Sequence, residues 1–301
     1  MPFLTTLHSA FFATLLFGLA FTHSGPDGSG WTAIHLVAPQ ALGSDDEPTR
    51  LRFLGATMIA FGAASFAALQ FLKAPYGRYA ADASWIYGVK VNGKLAWVLQ
   101  ECPCIVAVCA NLWLAGERRA QLPTASSILL GLFALHYVNR TFIFPFRLRN
   151  GKPTPFVVML LAFTFCCCNG FLQTRYLVFH AHYNEAWLSD PRFLGGTLIF
   201  FSGMAINWQA DHILINLRKP GEKGYKIPRG GAFEYVSGAN FFGEIVEWIG
   251  FAIASWSFPA LCFAFFTFCN IGPRAAQHHQ WYISNFRNYP RERFAVIPFL
   301  W

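Results

Sequence analysis

The sequence predicts an all-α integral membrane protein of about seven transmembrane helices, with no soluble Rossmann domain. Three observations carry that expectation. Only 13% of the 301 residues are charged, about half the share that a water-soluble domain uses to coat its surface, while the AVILMFWYC set reaches 54%. Residues 1–26, 53–72, 120–139, 153–174, 193–210 and 248–273 hold no Asp, Glu, Lys or Arg at all. The cations that remain divide unevenly between alternate loops.

In chain order, residues 3–22 (FLTTLHSAFFATLLFGLAFT) read as a further hydrophobic helix or a signal-like segment, without the Lys or Arg that opens a secretory signal. Residues 23–51, rich in Gly, Pro, Ser and Asp, read as a loop. Residues 1–50 thus precede a membrane domain at 51–301. A bilayer core about 30 Å thick needs about 20 apolar residues per helix. The runs place spans near 53–73, 95–115, 124–145, 155–178, 193–216, 233–251 and 252–271, with one carboxylate, Glu101, inside the second. Residues 230–273 could hold one helix or two, and the positive-inside rule decides between them. Seven spans put 16 of the 23 Lys and Arg on one side and 6 on the other, with Arg140 inside a span. Fusing the last two would carry four arginines across. Two helices and a cytoplasmic C-terminal tail are therefore expected.

The net charge of +8 is mostly this one-sided loop charge. It suits anionic lipid, or a polyanionic ligand on the cytoplasmic face, and calls for no nucleic acid. The eight cysteines form no CxxC pair, and the adjacent Cys166, Cys167 and Cys168 cannot wrap one tetrahedral metal. Each is expected to be a buried small hydrophobe. No metal site is expected. His278 and His279 project about 100° apart on a helix, and His180 and His182 flank a loop. Ser237 and His212 have no acid nearby in sequence to complete a nucleophilic triad. No GxGxxG follows a strand and no GxxxxGK[ST] occurs, so any dinucleotide site has to be built between membrane helices.

Polar side chains inside a bilayer are costly, and several at helical spacing point to a lined cavity. Gln100 and Glu101 sit beside Pro103, and His136, Tyr137, Asn139 and Arg140 cluster near the end of the next run. Glu101 either serves a site or pairs with Arg140. Asn207, Asp211 and Arg218 are spaced as one stripe, as are Asn240, Glu244 and Glu247, and Arg274, His278 and Tyr282. Between the first two stripes runs a basic, turn-rich loop, Arg218–Gly231, whose cations suit phosphates.

On these residues the chain resembles the steroid 5-alpha-reductases, the 3-oxo-5-alpha-steroid 4-dehydrogenases. The resemblance runs through GMAIN (203–207) to Asp211, the long stretch LRKPGEKGYKIPRGGAFEYVSGANFFGEIVEWIGFAIASWSFPALCFAFF (217–266), and the ending FRNYPRERFAVIPFLW (286–301). WVLQECP (97–103) and LHYVNRTF (135–142) look like the family's substrate-pocket segments. It is close from about residue 91 onward, weaker over 52–90, and leaves 1–50 unplaced. It implies a seven-helix reductase that moves a hydride from NADPH to C5 of a 3-oxo-Δ4 steroid, giving a 5α-reduced 3-oxosteroid. By position, Asn207, Asp211, Arg218, Tyr225, Asn240, Arg274, His278 and Tyr282 would bind NADPH, with Lys152 and Lys226 as further phosphate contacts. Glu101 and Tyr137 would hold the 3-oxo group, supported by Gln100. As an oxyanion hole does, they would stabilise the enolate oxygen, Tyr137 donating, and Glu101 either donating as a neutral acid or orienting Tyr137. Two departures stand out: Gln277-His-His-Gln280 has fewer histidines than the family pattern, and Asn139 stands where a histidine is expected.

The same architecture also serves reductases of polyprenol, enoyl-CoA or sterol double bonds, and S-adenosylmethionine-dependent prenylcysteine methyltransferases. A non-enzymatic lipid transporter would line its pathway with such stripes. The expected partners are a steroid-like lipid and membrane lipid, with no obligate protein partner. The membrane is the endoplasmic reticulum for a eukaryotic chain and the inner membrane for a bacterial one.

Overall fold

The computed structural model describes residues 46–79, 85–149, 151–219, 221–222 and 224–301; the stretch 3–22, read as a further hydrophobic helix or a signal-like segment, lies outside them. Seven long helices make up most of the described chain. The first, α1 (Glu47–Phe71), starts inside the expected loop. Asp46 accepts hydrogen bonds from the Thr49 backbone N–H (3.0 Å) and hydroxyl (2.5 Å), and Glu47 and Pro48 occupy the first turn. An acidic cap, an acid and a proline at those positions start a helix whatever the hydropathy.

Asn92 caps α2 (Gly93–Ala115), accepting from the Lys94 and Leu95 N–H groups. Pro103 lacks the N–H that would reach the Leu99 carbonyl, and the Cys102 thiol donates to that carbonyl instead, at 3.4 Å. The third helix, α3 (Thr124–Arg147), runs as α-helix to Val138, widens into a π turn at Asn139–Ile143 and closes with Phe144–Arg147. The widening accommodates Pro145, which cannot donate to Thr141. Two-residue strands β1 (Lys90–Val91) and β2 (Thr154–Pro155) pair antiparallel ahead of α4 (Phe156–Phe179). Then come α5 (Pro191–Asn216), α6 (Ala239–Ser255) and α7 (Phe258–Asn285). The left-handed Trp256 (φ 45°) and the Ser257 cap separate α6 from α7, so 230–273 does hold two helices.

By length and composition α1, α2, α3 and α4 are apolar enough to cross a membrane. Their outward faces carry Phe61, Val106, Trp113, Leu161 and Phe171, all exposed, as suits lipid-facing helices. Helix α6 has 17 residues, and α5 and α7 carry the polar stripes. The cysteines only partly follow expectation. Cys104, Cys166, Cys262 and Cys269 are buried, but Cys109 and Cys167 are exposed, on helix faces where a small apolar thiol costs little against lipid.

The described chain forms two compact units. One holds the start of α1 up to Gly55 and Lys73–Asp190; the other holds Ala56–Leu72 and Pro191–Trp301. In the first, α2 and α4 pack closely at Gly170, where a Cβ would meet Cys104 and Ala107, and Asn111 donates to Thr174 at 2.8 Å beside it. In the second, α5 and α6 touch backbone to backbone. Gly196 and Gly203 on α5 and Gly243 and Gly250 on α6 are each seven residues apart, and a Cβ on any of them would strike the backbone of the facing helix. Small residues permit this approach, which lipid surroundings favour. Trp248, Phe251 and Phe200 fill the adjoining core.

The C-terminal tail returns over this unit. Phe294 bridges Val236 in parallel, Arg293 donates to the Pro228 carbonyl (2.9 Å), and Trp301 packs against Gly272, Phe66 and Phe268. Gln277, one of the departures noted in the sequence, donates to the Leu69 and Leu72 carbonyls at 2.7 and 2.8 Å and so closes the C-terminal end of α1.

Candidate functional site

In the first unit, the polar residues expected to meet a carbonyl converge on one face of α4. Cys166, Asn169 and Gln173 are spaced three and four, so they share that face. The Glu101 carboxylate on α2 accepts from the Gln100 amide at 3.1 Å and meets the Cys166 thiol at 3.8 Å. Tyr137 on α3 is buried, and its hydroxyl accepts from the Asn169 amide at 3.2 Å. Asn169 accepts in turn from Gln173 at 3.1 Å. Two residues 36 apart in sequence are thereby tied to neighbouring positions of a third helix.

The rest of this cluster is aromatic. His136 is buried edge-on to Tyr137, with centroids 5.0 Å apart, and Phe133 covers the phenol at 4.8 Å. The Arg140 guanidinium lies 4.5 Å over both Trp97 and Phe144. Arg140 lies within the π turn that begins at Asn139. Asn139, the other departure, is buried at the start of that turn. Lys152, a candidate phosphate contact, is exposed in the segment before β2.

In the second unit, the three stripes are linked by contacts. Asn207 is buried on α5, and its amide donates to the Asn240 carbonyl on α6 at 3.0 Å. That contact is possible because Gly203 and Gly243 let the helices touch there. Asp211 is buried one turn beyond Asn207. On α6, Glu244 is half-buried and Glu247 fully buried. Phe241 packs on His278 of α7 (5.6 Å), with Arg274 one turn before and the buried Tyr282 one turn after.

Arg218 corrects the sequence reading: α5 ends at Asn216, so Arg218 belongs to the loop and not to the helical stripe. It donates to the Gly224 carbonyl at 3.1 Å, and its guanidinium lies 5.9 Å over the Tyr225 ring. Tyr225 meets Trp281 edge-to-face at 4.9 Å, which joins the loop to α7. Lys226 is paired with Glu222 at 2.6 Å. That bond, with a second from the Lys219 backbone N–H, holds the Glu222 carboxyl below its ordinary value. Glu234, just ahead of α6, is held low by the Gly230 N–H and by Arg293 and Arg229.

Two sets of residues were not anticipated. Asn169 and Gln173 carry a readable signal, since they are the polar pair at helical spacing in an otherwise apolar run. Ser237 has no acid nearby in sequence. It meets His279 (2.6 Å) and Tyr289 (2.6 Å) and bonds to Phe294, so its role is to fasten the tail. Among the described residues no group of three His, Cys, Asp or Glu side chains is placed to hold a metal ion.

Residues 152–301 match the family model described as 3-oxo-5-alpha-steroid 4-dehydrogenase. The chain is 50% identical to 3-oxo-5-alpha-steroid 4-dehydrogenase 1 of Bos taurus over 244 residues, covering 80% of this chain and 93% of the relative. Identity to the Homo sapiens protein of the same name is 47% over 255 residues, 84% and 96% of the two chains. To 3-oxo-5-alpha-steroid 4-dehydrogenase 2 of Sus scrofa it is 47% over 246 residues, 81% and 94%.

Proposed function

Since the chain belongs to the 3-oxo-5-alpha-steroid 4-dehydrogenase family, we propose that it is a membrane-embedded, NADPH-dependent reductase of the C4–C5 double bond of 3-oxo-Δ4 steroids. The observation that carries this reading is the meeting of Glu101 and Tyr137 on one face of α4, in a chain half identical to enzymes of that name.

The donor set of the second unit suits a dinucleotide. Asn207, Asn240 and Asp211 can hold amide and ribose hydroxyl groups. Arg218, Arg274 and His278 offer cationic or donor groups to phosphates, and Tyr225 and Tyr282 offer aromatic rings beside them. Lys226 is less suited, because it is paired with Glu222, and Lys152 stays a candidate phosphate contact. When bound, NADPH supplies a hydride, which ends on C5 of the steroid.

The protein's task at the other end of the enone is electrostatic. As C5 gains the hydride, the C4–C5 π electrons shift and the 3-oxo oxygen becomes an enolate. Tyr137 donates its hydroxyl proton in a hydrogen bond to that oxygen. Glu101, oriented by Gln100, supplies a second bond as the neutral acid or fixes Tyr137. Protonation at C4 then completes the saturated ketone. A donor of this kind is worth about 2.7–4 kcal/mol in the transition state, because it is aimed in advance in a water-poor site. The apolar faces of the surrounding helices suit the steroid skeleton, and the bilayer delivers it laterally. The positive-inside bias supports a cytoplasmic C-terminal tail, on the side where NADPH is available.

The test is direct. Purified protein in lipid nanodiscs, given NADPH and testosterone or progesterone, is expected to consume NADPH and form the 5α-reduced 3-oxosteroid. Methyl transfer from S-adenosylmethionine, or steroid flux without NADPH consumption, would overturn the reading.

A further inference from the structure

An asparagine in an apolar helix is costly unless its amide finds a partner. Several of the helical asparagines here do so locally. Asn111, Asn216 and Asn285 donate to the carbonyl four residues back, at 2.9, 2.9 and 2.8 Å, and Asn207 donates across to α6. Asn270, on α7 within the span expected at 252–271, differs. Its Oδ1 is buried and has no hydrogen-bond partner among the described residues. Turned over, the amide would place its nitrogen there, equally unmatched, so the observation holds for either setting. An unmatched buried amide atom is rare in a folded chain and calls for a reason. Asn270 also follows a run of buried residues, 262–269, and is itself only half-buried, so α7 meets open space at this turn.

Its place on the helix supplies the reason. Asn270, Arg274, His278 and Tyr282 follow one another every four residues, so Asn270 adds one turn to the stripe proposed for the coenzyme. At one end of this row, Tyr282 adjoins Trp281, which meets Tyr225 of the basic loop. Asn270 stands at the other end, about 18 Å away along the axis. Phe263 and Gln277, seven residues to either side, lie nearly in line with it. Phe263 meets Trp248 of α6 at 4.3 Å, and Gln277 closes the end of α1. Phe268 and Gly272, two residues to either side, take the opposite face under Trp301. The face that carries Asn270 therefore looks between α6 and α1, away from the tail.

A coenzyme with its phosphates by Arg274 and His278, and its charged adenosine end by the basic loop, extends its nicotinamide toward Asn270. That ring bears one hydrogen-bonding substituent, a carboxamide. It offers an acceptor oxygen and an NH2 donor, which an asparagine amide matches in either setting. We infer that Asn270 pairs amide to amide with the nicotinamide carboxamide and so fixes which face of the ring is turned to the steroid. This inference rests on the proposed NADPH-dependent reduction.

The test compares binding of NADP+ and of its 3-acetylpyridine analogue, in which a methyl group replaces the carboxamide NH2. Calorimetry on the full chain in nanodiscs reads both without turnover. The wild type is expected to bind the analogue about 3–10-fold more weakly than NADP+, the worth of one hydrogen bond between neutral groups. Asn270→Leu, a change well suited to an apolar helix, should weaken NADP+ by a similar factor and the analogue hardly at all. Its discrimination should thus fall to within about twofold, which is the coupling expected of two groups in contact. Asn270→Ala is a second variant that cannot crowd the helix, and the same loss of discrimination is expected of it. In turnover with NADPH, Asn270→Leu should slow reduction and leave the half-saturating steroid concentration unchanged.

A wild type that binds NADP+ without discriminating, or variants that discriminate as the wild type does, would overturn the inference alone. If the variants instead changed the preference between testosterone and progesterone, Asn270 would belong to the steroid, and the inference would fall in that way. A wild type that binds neither dinucleotide would overturn the proposed function, and the inference with it.

Discussion

Helices α2–α4 and helices α5–α7 handle polar groups in opposite ways. In α2–α4 they are few and satisfy one another side chain to side chain, as in Asn111 with Thr174 and Gln173 with Asn169 and Tyr137. In α5–α7 they run in stripes, and the Asn207 amide donates across to the Asn240 carbonyl, side chain to backbone. The first arrangement needs only well-placed partners. The second needs two backbones brought together, and four glycines do that. A site that grips one small polar atom can be built from a pair of donors in a greasy wall. A site for a long, charged coenzyme needs a whole helical face.

The contrast can be broken most severely at the glycines. Gly203→Leu, with no space against Glu247 and Gly243, should cost about 3 kcal/mol or more and abolish NADPH binding. Thermal unfolding in nanodiscs and coenzyme fluorescence would show it. Next, Glu101→Gln and Tyr137→Phe should each lower turnover by about 10²–10³-fold while NADPH binding survives, and unchanged turnover in both would remove the carbonyl role. Arg218→Ala should act the other way, weakening apparent NADPH affinity roughly 10–100-fold with little change at saturation, as steady-state kinetics would report. Asn111→Ala, confined to the α2–α4 contact, should cost about 0.6–2 kcal/mol of stability and leave both sites alone. The smallest effect belongs to Glu222. Its folded pKa lies below the ordinary 4.5, so its contacts to Lys226 and Lys219 are complete at higher pH and are lost as the pH falls below 4.5 toward the folded value. Glu222→Gln should change NADPH affinity by less than about twofold at neutral pH, and should flatten any loss seen on acidification.

Much of this architecture can be read from residue types alone. The expected span at 95–115 meets a helix at Gly93–Ala115, and that at 155–178 meets Phe156–Phe179, because a largely apolar run of that length satisfies its backbone in lipid as a helix. The misses have physical causes. Helix α6 starts at Ala239 rather than 233, because Gly230 and Gly231, with φ of 89° and 54°, turn the chain through a short 3₁₀ segment first. Helix α7 runs on to Asn285, past the expected 271, because its last turns are polar on one side and hydropathy does not register an amphipathic helix. Among the proposed site residues, Glu101, Tyr137 and the Asn207 stripe are visible as polar groups in costly places. Asn169 and Gln173 are visible in the same way, but what they touch depends on which helix α4 faces. The tail's return through Phe294 and Arg293 depends on tertiary contacts that no local pattern encodes.

Glycines at 196, 203, 243 and 250 leave no cushion of side chains between α5 and α6. Without a compliant layer the two helices lack a rotamer-scale way to slide, and the pair should behave as a single plank. Their amides should therefore exchange with deuterium together, in one cooperative opening, and bound coenzyme should slow that opening as a whole rather than turn by turn.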